Sequence, residues 1–227
     1  MIQIRDAADF KRLLNGLADD IVGAHIHHKM RKDLIKAADK YPLVMQQSNT
    51  FWSTTLKALN LTSFALLAKV YDTDDKSLHL SSWLRTIKEN QQLFGDQGFR
   101  DRLCENPFVE SLAVGSRIPD ISVLEIDIVS CSISDPLVKT LVVHRSSTMA
   151  HRNARNTARA TSIADTYPLS WDDFETLLRR AHDILNRYSV LFEASSYSTN
   201  AIGDQDYEYI FQCVNEAVEK SQSLYRH

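Results

Sequence analysis

Residues 170–188, SWDDFETLLRRAHDILNRY, decide the fold class. Phe174, Leu177, Leu178, Ala181, Ile184, Leu185 and Tyr188 recur at three- and four-residue steps. That is the period of an α-helix with one apolar face. Ser170 stands where an N-cap belongs, and Asp173, three residues on, makes a near capping box.

The same period extends through most of the chain. Over residues 7–41, Phe10, Leu13, Leu14, Leu17 and Ile21 form a helical stripe, which Pro42 stops. Residues 48–71 are the most apolar, and Phe51, Trp52, Leu56, Leu59, Phe64, Leu67 and Val70 populate more than one face. This pattern predicts a central helix packed on several sides, ending at a solvated turn over residues 72–75. A further helix is predicted over 81–93, with Trp83, Leu84 and Ile87 inward. Gly95, Gly98, Pro107, Gly115 and Pro119 break residues 94–120 into short helices or loops.

Residues 121–133 are open to two readings. Val123, Ile126, Ile128 and Val129 are β-branched and suit a strand, while the surroundings favour a helix. Asp135-Pro136 reads as an N-cap followed by the first helical residue. After a polar break over 195–203, a last helix is predicted over 206–224. Six or seven helices of antiparallel neighbours give an all-α bundle, read as a single helical domain over 1–227.

Composition agrees. Six glycines and five prolines among 227 residues are too few for the turns of a β-sandwich of this size. Apolar residues at 44% and charged residues at 24% predict a packed core rather than a disordered chain. A net charge of −3 gives no overall basic character, so any nucleic-acid contact is expected to be local. Cys104, Cys131 and Cys213 form no CxxC pair, which excludes a zinc ribbon and points to a reducing cytoplasm. No apolar run is long enough for a membrane span, and the N-terminus lacks a signal-peptide core.

One stretch carries chemistry. Lys139, Arg145, Arg152, Arg155 and Arg159, with His144 and His151, lie in a segment with no acidic residue between Asp135 and Asp165. Such a concentration of positive charge attracts phosphates, and arginine adds a planar fork matched to phosphate oxygens. His151, Arg155 and Arg159 share a helical face at four-residue steps. Arg145 and His151 lie roughly 120° apart on an ideal helix. They converge only through a distortion of the helix or across a dimer axis.

The string from His144 through Arg145 and His151 to Asn153 resembles the Arg-x(4–6)-His signature of the HEPN superfamily (higher eukaryotes and prokaryotes nucleotide-binding), and more narrowly its abortive-infection type. Residues 64–72 with Lys76 to Leu80 look like that group's central helix and turn. Residues 135–139 look like the lead-in to its motif helix, and 171–188 like the helix that follows. The core of the resemblance covers about 51–190, with the N-terminal helices (1–41) and the C-terminal helix (204–224) packed on it. It implies an all-α bundle with additional short helices that forms a homodimer, bringing two Arg–His motifs into one cleft.

Many such proteins are metal-independent endoribonucleases of toxin–antitoxin, anti-phage or abortive-infection systems, partnered by RNA and in some systems by an antitoxin or another defence protein. By this resemblance Arg145 holds the scissile phosphate and His151 assists attack by the RNA 2′-hydroxyl. Arg152, Arg155, Arg159, Lys139 and Ser146 then bind neighbouring phosphates, and no cofactor or metal is implied. The alternative is a catalytically inactive helical module that binds RNA, a nucleotide or a protein partner. Asn153 replaces the tyrosine found two positions after the histidine in one toxin subgroup, so features that depend on that tyrosine do not transfer.

Other residues have plainer readings. His25 and His28 share a face without a carboxylate to complete a metal set. Asp72, Asp74 and Asp75 lack the glycine and closing glutamate of a calcium loop and read as a turn. Cys131 reads as a small buried apolar residue. Ser146 and Ser147 lie in no nucleophile elbow.

Overall fold

The computed structural model describes residues 2–150, 166–201, 203 and 205–224. Among them are ten α-helices and no strand: α1 (Ala7–Lys40), α2 (Pro42–Gln47), α3 (Asn49–Val70), α4 (Leu80–Glu89), α5 (Asp96–Arg102), α6 (Val109–Leu112), α7 (Ile121–Ser130), α8 (Pro136–His144), α9 (Trp171–Glu193) and α10 (Asp206–Leu224). A 3₁₀ turn covers Gln91–Phe94, and a π-helical turn covers Arg145–Ala150. The all-α expectation is met. The excess over six or seven helices comes from the short α2, α5 and α6.

The chain divides into two compact units, residues 1–22 with 65–197 and residues 23–64 with 198–227. In the first unit the core is aromatic. Phe10 stacks on Trp83 with ring centroids 5.8 Å apart and meets Phe94 and Phe192 at 5.6 and 4.7 Å. Trp83 meets Tyr188 edge-on at 6.0 Å. All five rings are essentially inaccessible to water. Each fully buried aromatic of this kind contributes roughly 1.5–3 kcal/mol through burial. Around them pack Leu14, Leu17, Leu67, Leu84, Leu177 and Leu185. Tyr71, also fully buried, donates its hydroxyl to the Leu177 carbonyl at 2.9 Å and so ties the end of α3 to α9.

The second unit has its own cluster. Phe211 of α10 is fully buried beside Leu34, Ala37, Tyr41 and Val44, with Trp52 and Leu56 against them. Inside this unit the Ser63 hydroxyl donates to the Ala24 carbonyl at 2.8 Å.

Local signals explain the boundaries. Pro42 ends α1 but also begins α2, at the first helical position where its missing N–H costs nothing. Ser170 and Asp173 complete the reciprocal capping box that starts α9. Asp120 caps α7, accepting from the Ser122 and Val123 amides at 2.8 and 3.3 Å. That cap decides residues 121–130 in favour of helix over strand, outweighing the β-branched side chains. Ile126 and Val129 of α7 are exposed, while Asp127 is buried, accepting from the Tyr188 hydroxyl at 2.8 Å and pairing with Arg187.

One expectation needs correcting. α3 is not packed on several sides along its length. No residue before Ser63 is buried, Phe51 is 57% exposed, and full enclosure begins only with Ser63, Leu67, Ala68 and Val70. The helix is apolar without being amphipathic, and only its last two turns reach a core. Among the described residues no helix is long and apolar enough to cross a membrane.

Candidate functional site

α8 positions the site. Its N-cap Asp135 accepts from the Leu137 and Val138 amides at 2.9 and 3.1 Å, with Pro136 at the first helical position as the sequence predicts. Arg180 of α9 pairs with Asp135 at 3.0 Å and donates to the Ser130 carbonyl at 2.7 Å. The start of α8 is thereby clamped, and Val138 and Leu141 are buried.

At its other end the α-helix gives way to the π-helical turn that opens on Arg145. Single π-turns of this kind occur often at functional sites. The helix is thus distorted at the motif, one of the two routes to convergence that the six-residue spacing leaves open.

The Arg145 guanidinium reaches back to the end of α3. Its Nη1 donates to Asp72 Oδ1 at 2.5 Å, and the two side chains are 37% and 13% exposed. Asp72 Oδ1 also accepts from the Thr73 amide at 2.7 Å. Burial works to raise the Asp72 carboxyl, but the hydrogen bond from Arg145, the Thr73 amide and the arginine charge hold it below the usual carboxylate value. The carboxylate is therefore ionised at neutral pH.

Asp72 was read from sequence as part of a solvated turn, and this is a second correction. It is largely enclosed and meets the charge of the motif arginine. No spacing rule links positions 73 residues apart; the available signal was its place at the end of the helix that resembles the group's central helix.

His144 is held as well. Its Nε2 lies 2.5 Å from the Tyr167 carbonyl. A carbonyl only accepts, so the ring proton sits on that nitrogen. Ser146 is exposed and donates its hydroxyl back to the Val142 carbonyl at 3.0 Å. Lys139 is exposed on α8. His151, Arg152, Arg155 and Arg159 lie outside the described residues. Among the described residues no three His, Cys, Asp or Glu side chains are grouped to hold a metal. Cys131 is buried, and burial pushes its thiol up to about 12, which leaves it unreactive.

His79 is a further buried histidine near this corner, 3% exposed, and sequence reading did not single it out. It caps α4: its Nδ1 accepts from the Ser82 amide at 3.3 Å while the Ser82 hydroxyl accepts from the His79 amide at 3.1 Å. Its Nε2 is buried with no partner among the described residues. Burial pushes its pKa below 6.5, and the Asp72 carboxylate pulls the other way.

The unfolded chain therefore takes up a proton below about pH 6.5 that the folded chain resists. The stability this group contributes is complete above that pH and is lost as pH falls below it, by up to about 1.4 kcal/mol per pH unit for one proton. Asn keeps an acceptor at the cap and does not titrate. In urea unfolding at pH 5, 6 and 7, His79→Asn is expected to flatten the decline seen in the wild type. An unchanged slope would assign that decline to other groups.

No curated protein and no solved structure matches this chain. The model of the AbiU2 family of HEPN proteins matches residues 7–210, reaching well beyond the segment 51–190 that carries the resemblance in sequence. Nearly the whole chain fits that model, and with it the helical architecture and the position of Arg145; the protein belongs to the AbiU2 family of HEPN proteins.

Proposed function

We propose that this chain is a metal-independent endoribonuclease of the abortive-infection type, acting as a cytoplasmic homodimer in an anti-phage or toxin–antitoxin setting. The observation that carries the reading is the Arg145 guanidinium, held by one nitrogen at a π-turn and still more than one-third exposed. A tethered, accessible guanidinium in a basic stretch suits the negative charge of a phosphodiester.

In the proposed reaction the 2′-oxygen of a ribose forms a bond to the adjacent phosphorus, and the bond from phosphorus to the 5′-oxygen breaks. His151 takes part in moving the proton lost by the 2′-hydroxyl, and a proton is delivered to the departing 5′-oxygen. The products are a 2′,3′-cyclic phosphate and a 5′-hydroxyl. A histidine that titrates near neutral pH is suited to this work. Arg145 stabilises charge on the phosphate, and Lys139, Ser146, Arg152, Arg155 and Arg159 contact the flanking backbone. An antitoxin or another defence-system protein is the partner such a setting calls for.

The test is incubation of the purified wild type with mixed single-stranded and structured RNA in EDTA, with His151→Ala beside it. Cleavage by the wild type alone, leaving 2′,3′-cyclic phosphate ends, is expected. No cleavage by a folded, dimeric wild type would favour the non-catalytic binding module. Equal cleavage by both proteins would move the chemistry away from His151.

A further inference from the structure

We propose that Asp72 is a positioning residue for Arg145, holding one guanidinium nitrogen so that the rest of the fork faces a phosphate. This deepens the ribonuclease reading and rests on it. Asp72 is itself fixed. It follows α3 directly, and the turn after it is closed by the Lys76 amide to Asp74 Oδ1 at 3.0 Å and the Ser77 amide to the Asp74 carbonyl at 2.9 Å. The Ser82 hydroxyl, buried at the start of α4, donates to the Ser77 carbonyl at 3.0 Å. The carboxylate is therefore presented by a rigid corner, and its Oδ1 accepts from both Thr73 and Arg145.

A guanidinium offers five N–H donors in a planar fork. The bond to Asp72 is the single hydrogen bond that Arg145 makes among the described residues, and it uses Nη1. Nη2 and Nε can then meet two phosphate oxygens together. Fixing the fork in advance favours the geometry of reaction. The same carboxylate lies close to where the phosphate binds and repels it. Asp72 is thus expected to weaken binding of the substrate while speeding its conversion, a combination that a purely structural residue does not produce.

The experiment compares wild type, Asp72→Asn and Asp72→Ala, with thermal unfolding to confirm that each is folded. Binding is read with a 2′-O-methyl RNA oligomer, which cannot react, and turnover with the unmodified oligomer. Asp72→Asn is expected to bind roughly two- to fivefold tighter, the size of a partly exposed charge interaction. Its kcat is expected to fall roughly tenfold, and that of Asp72→Ala by up to about a hundredfold, as for a misplaced catalytic group.

Unchanged kcat in folded Asp72→Ala would overturn the proposal. So would faster turnover by Asp72→Asn, which would make the carboxylate a mask on Arg145. If the wild type cleaves nothing, the ribonuclease reading fails, and the binding arm still decides the tether. Tighter binding by Asp72→Asn that disappears in an Arg145→Gln background supports the coupling, and tightening that persists there overturns it.

Discussion

Arg145→Ala is expected to lower kcat for RNA cleavage by roughly 10²- to 10³-fold, the cost of removing one preorganised donor from a developing negative charge. Attack on the phosphate places extra charge on its non-bridging oxygens, and the guanidinium is the described group placed to meet it. Binding of unreactive RNA should weaken much less, because the flanking basic residues still attract the backbone. The contrast between a large loss in kcat and a small change in affinity marks an interaction made mainly in the transition state.

The substitution also leaves the Asp72 carboxylate, only 13% exposed, without its cation. A parallel measurement of melting temperature therefore accompanies the assay, and Arg145→Lys serves as the conservative variant. Lysine keeps the charge but not the fork, so its activity should fall between the two. Full activity in a folded Arg145→Ala protein would end the assignment of this site.

Trp83→Ala is expected to destabilise the first unit by roughly 3–5 kcal/mol, the usual cost of deleting a buried aromatic ring. Trp83 is fully buried and touches Phe10 on one side and Tyr188 on the other, so its loss leaves a cavity lined by rings that cannot easily collapse. For a chain of this size the melting temperature should fall by roughly 10 °C. Trp83→Phe should cost far less. The indole N–H of Trp83 is buried without a hydrogen-bond partner, so the smaller ring removes an unsatisfied donor along with some volume. Equal losses for Ala and Phe, measured by thermal unfolding, would show that volume alone governs this position.

The fold was largely legible because its signals are local. The stripe from Phe174 to Tyr188, the cap at Asp135-Pro136 and the run of residues 206–224 each state their structure within a few positions, and each forms the helix expected. Residues 121–130 were harder, since side-chain preference and capping disagree there, and the two hydrogen bonds to Asp120 settle them.

The extent of burial along α3 was not legible. Apolar content around Phe51 and Leu61 does not say whether another element arrives to cover them, and both are exposed. The site was legible by halves. Arg145 announces itself through charge and motif, whereas Asp72 joins it only through the fold. A carboxylate in an acidic turn looks the same in sequence whether it faces water or a guanidinium.

The clamp that Arg180 places on Asp135 has a consequence for the far end of α8. A helix fixed at its first turn works as an indexed screw. Each residue added or removed between Asp135 and Arg145 turns everything beyond it by about 100° and shifts it about 1.5 Å along the axis. The tether to Asp72 tolerates no such turn. The length of this helix is therefore a functional quantity in its own right, set by phase, and the π-turn that begins at Arg145 is where a surplus residue can be absorbed without carrying the guanidinium out of register.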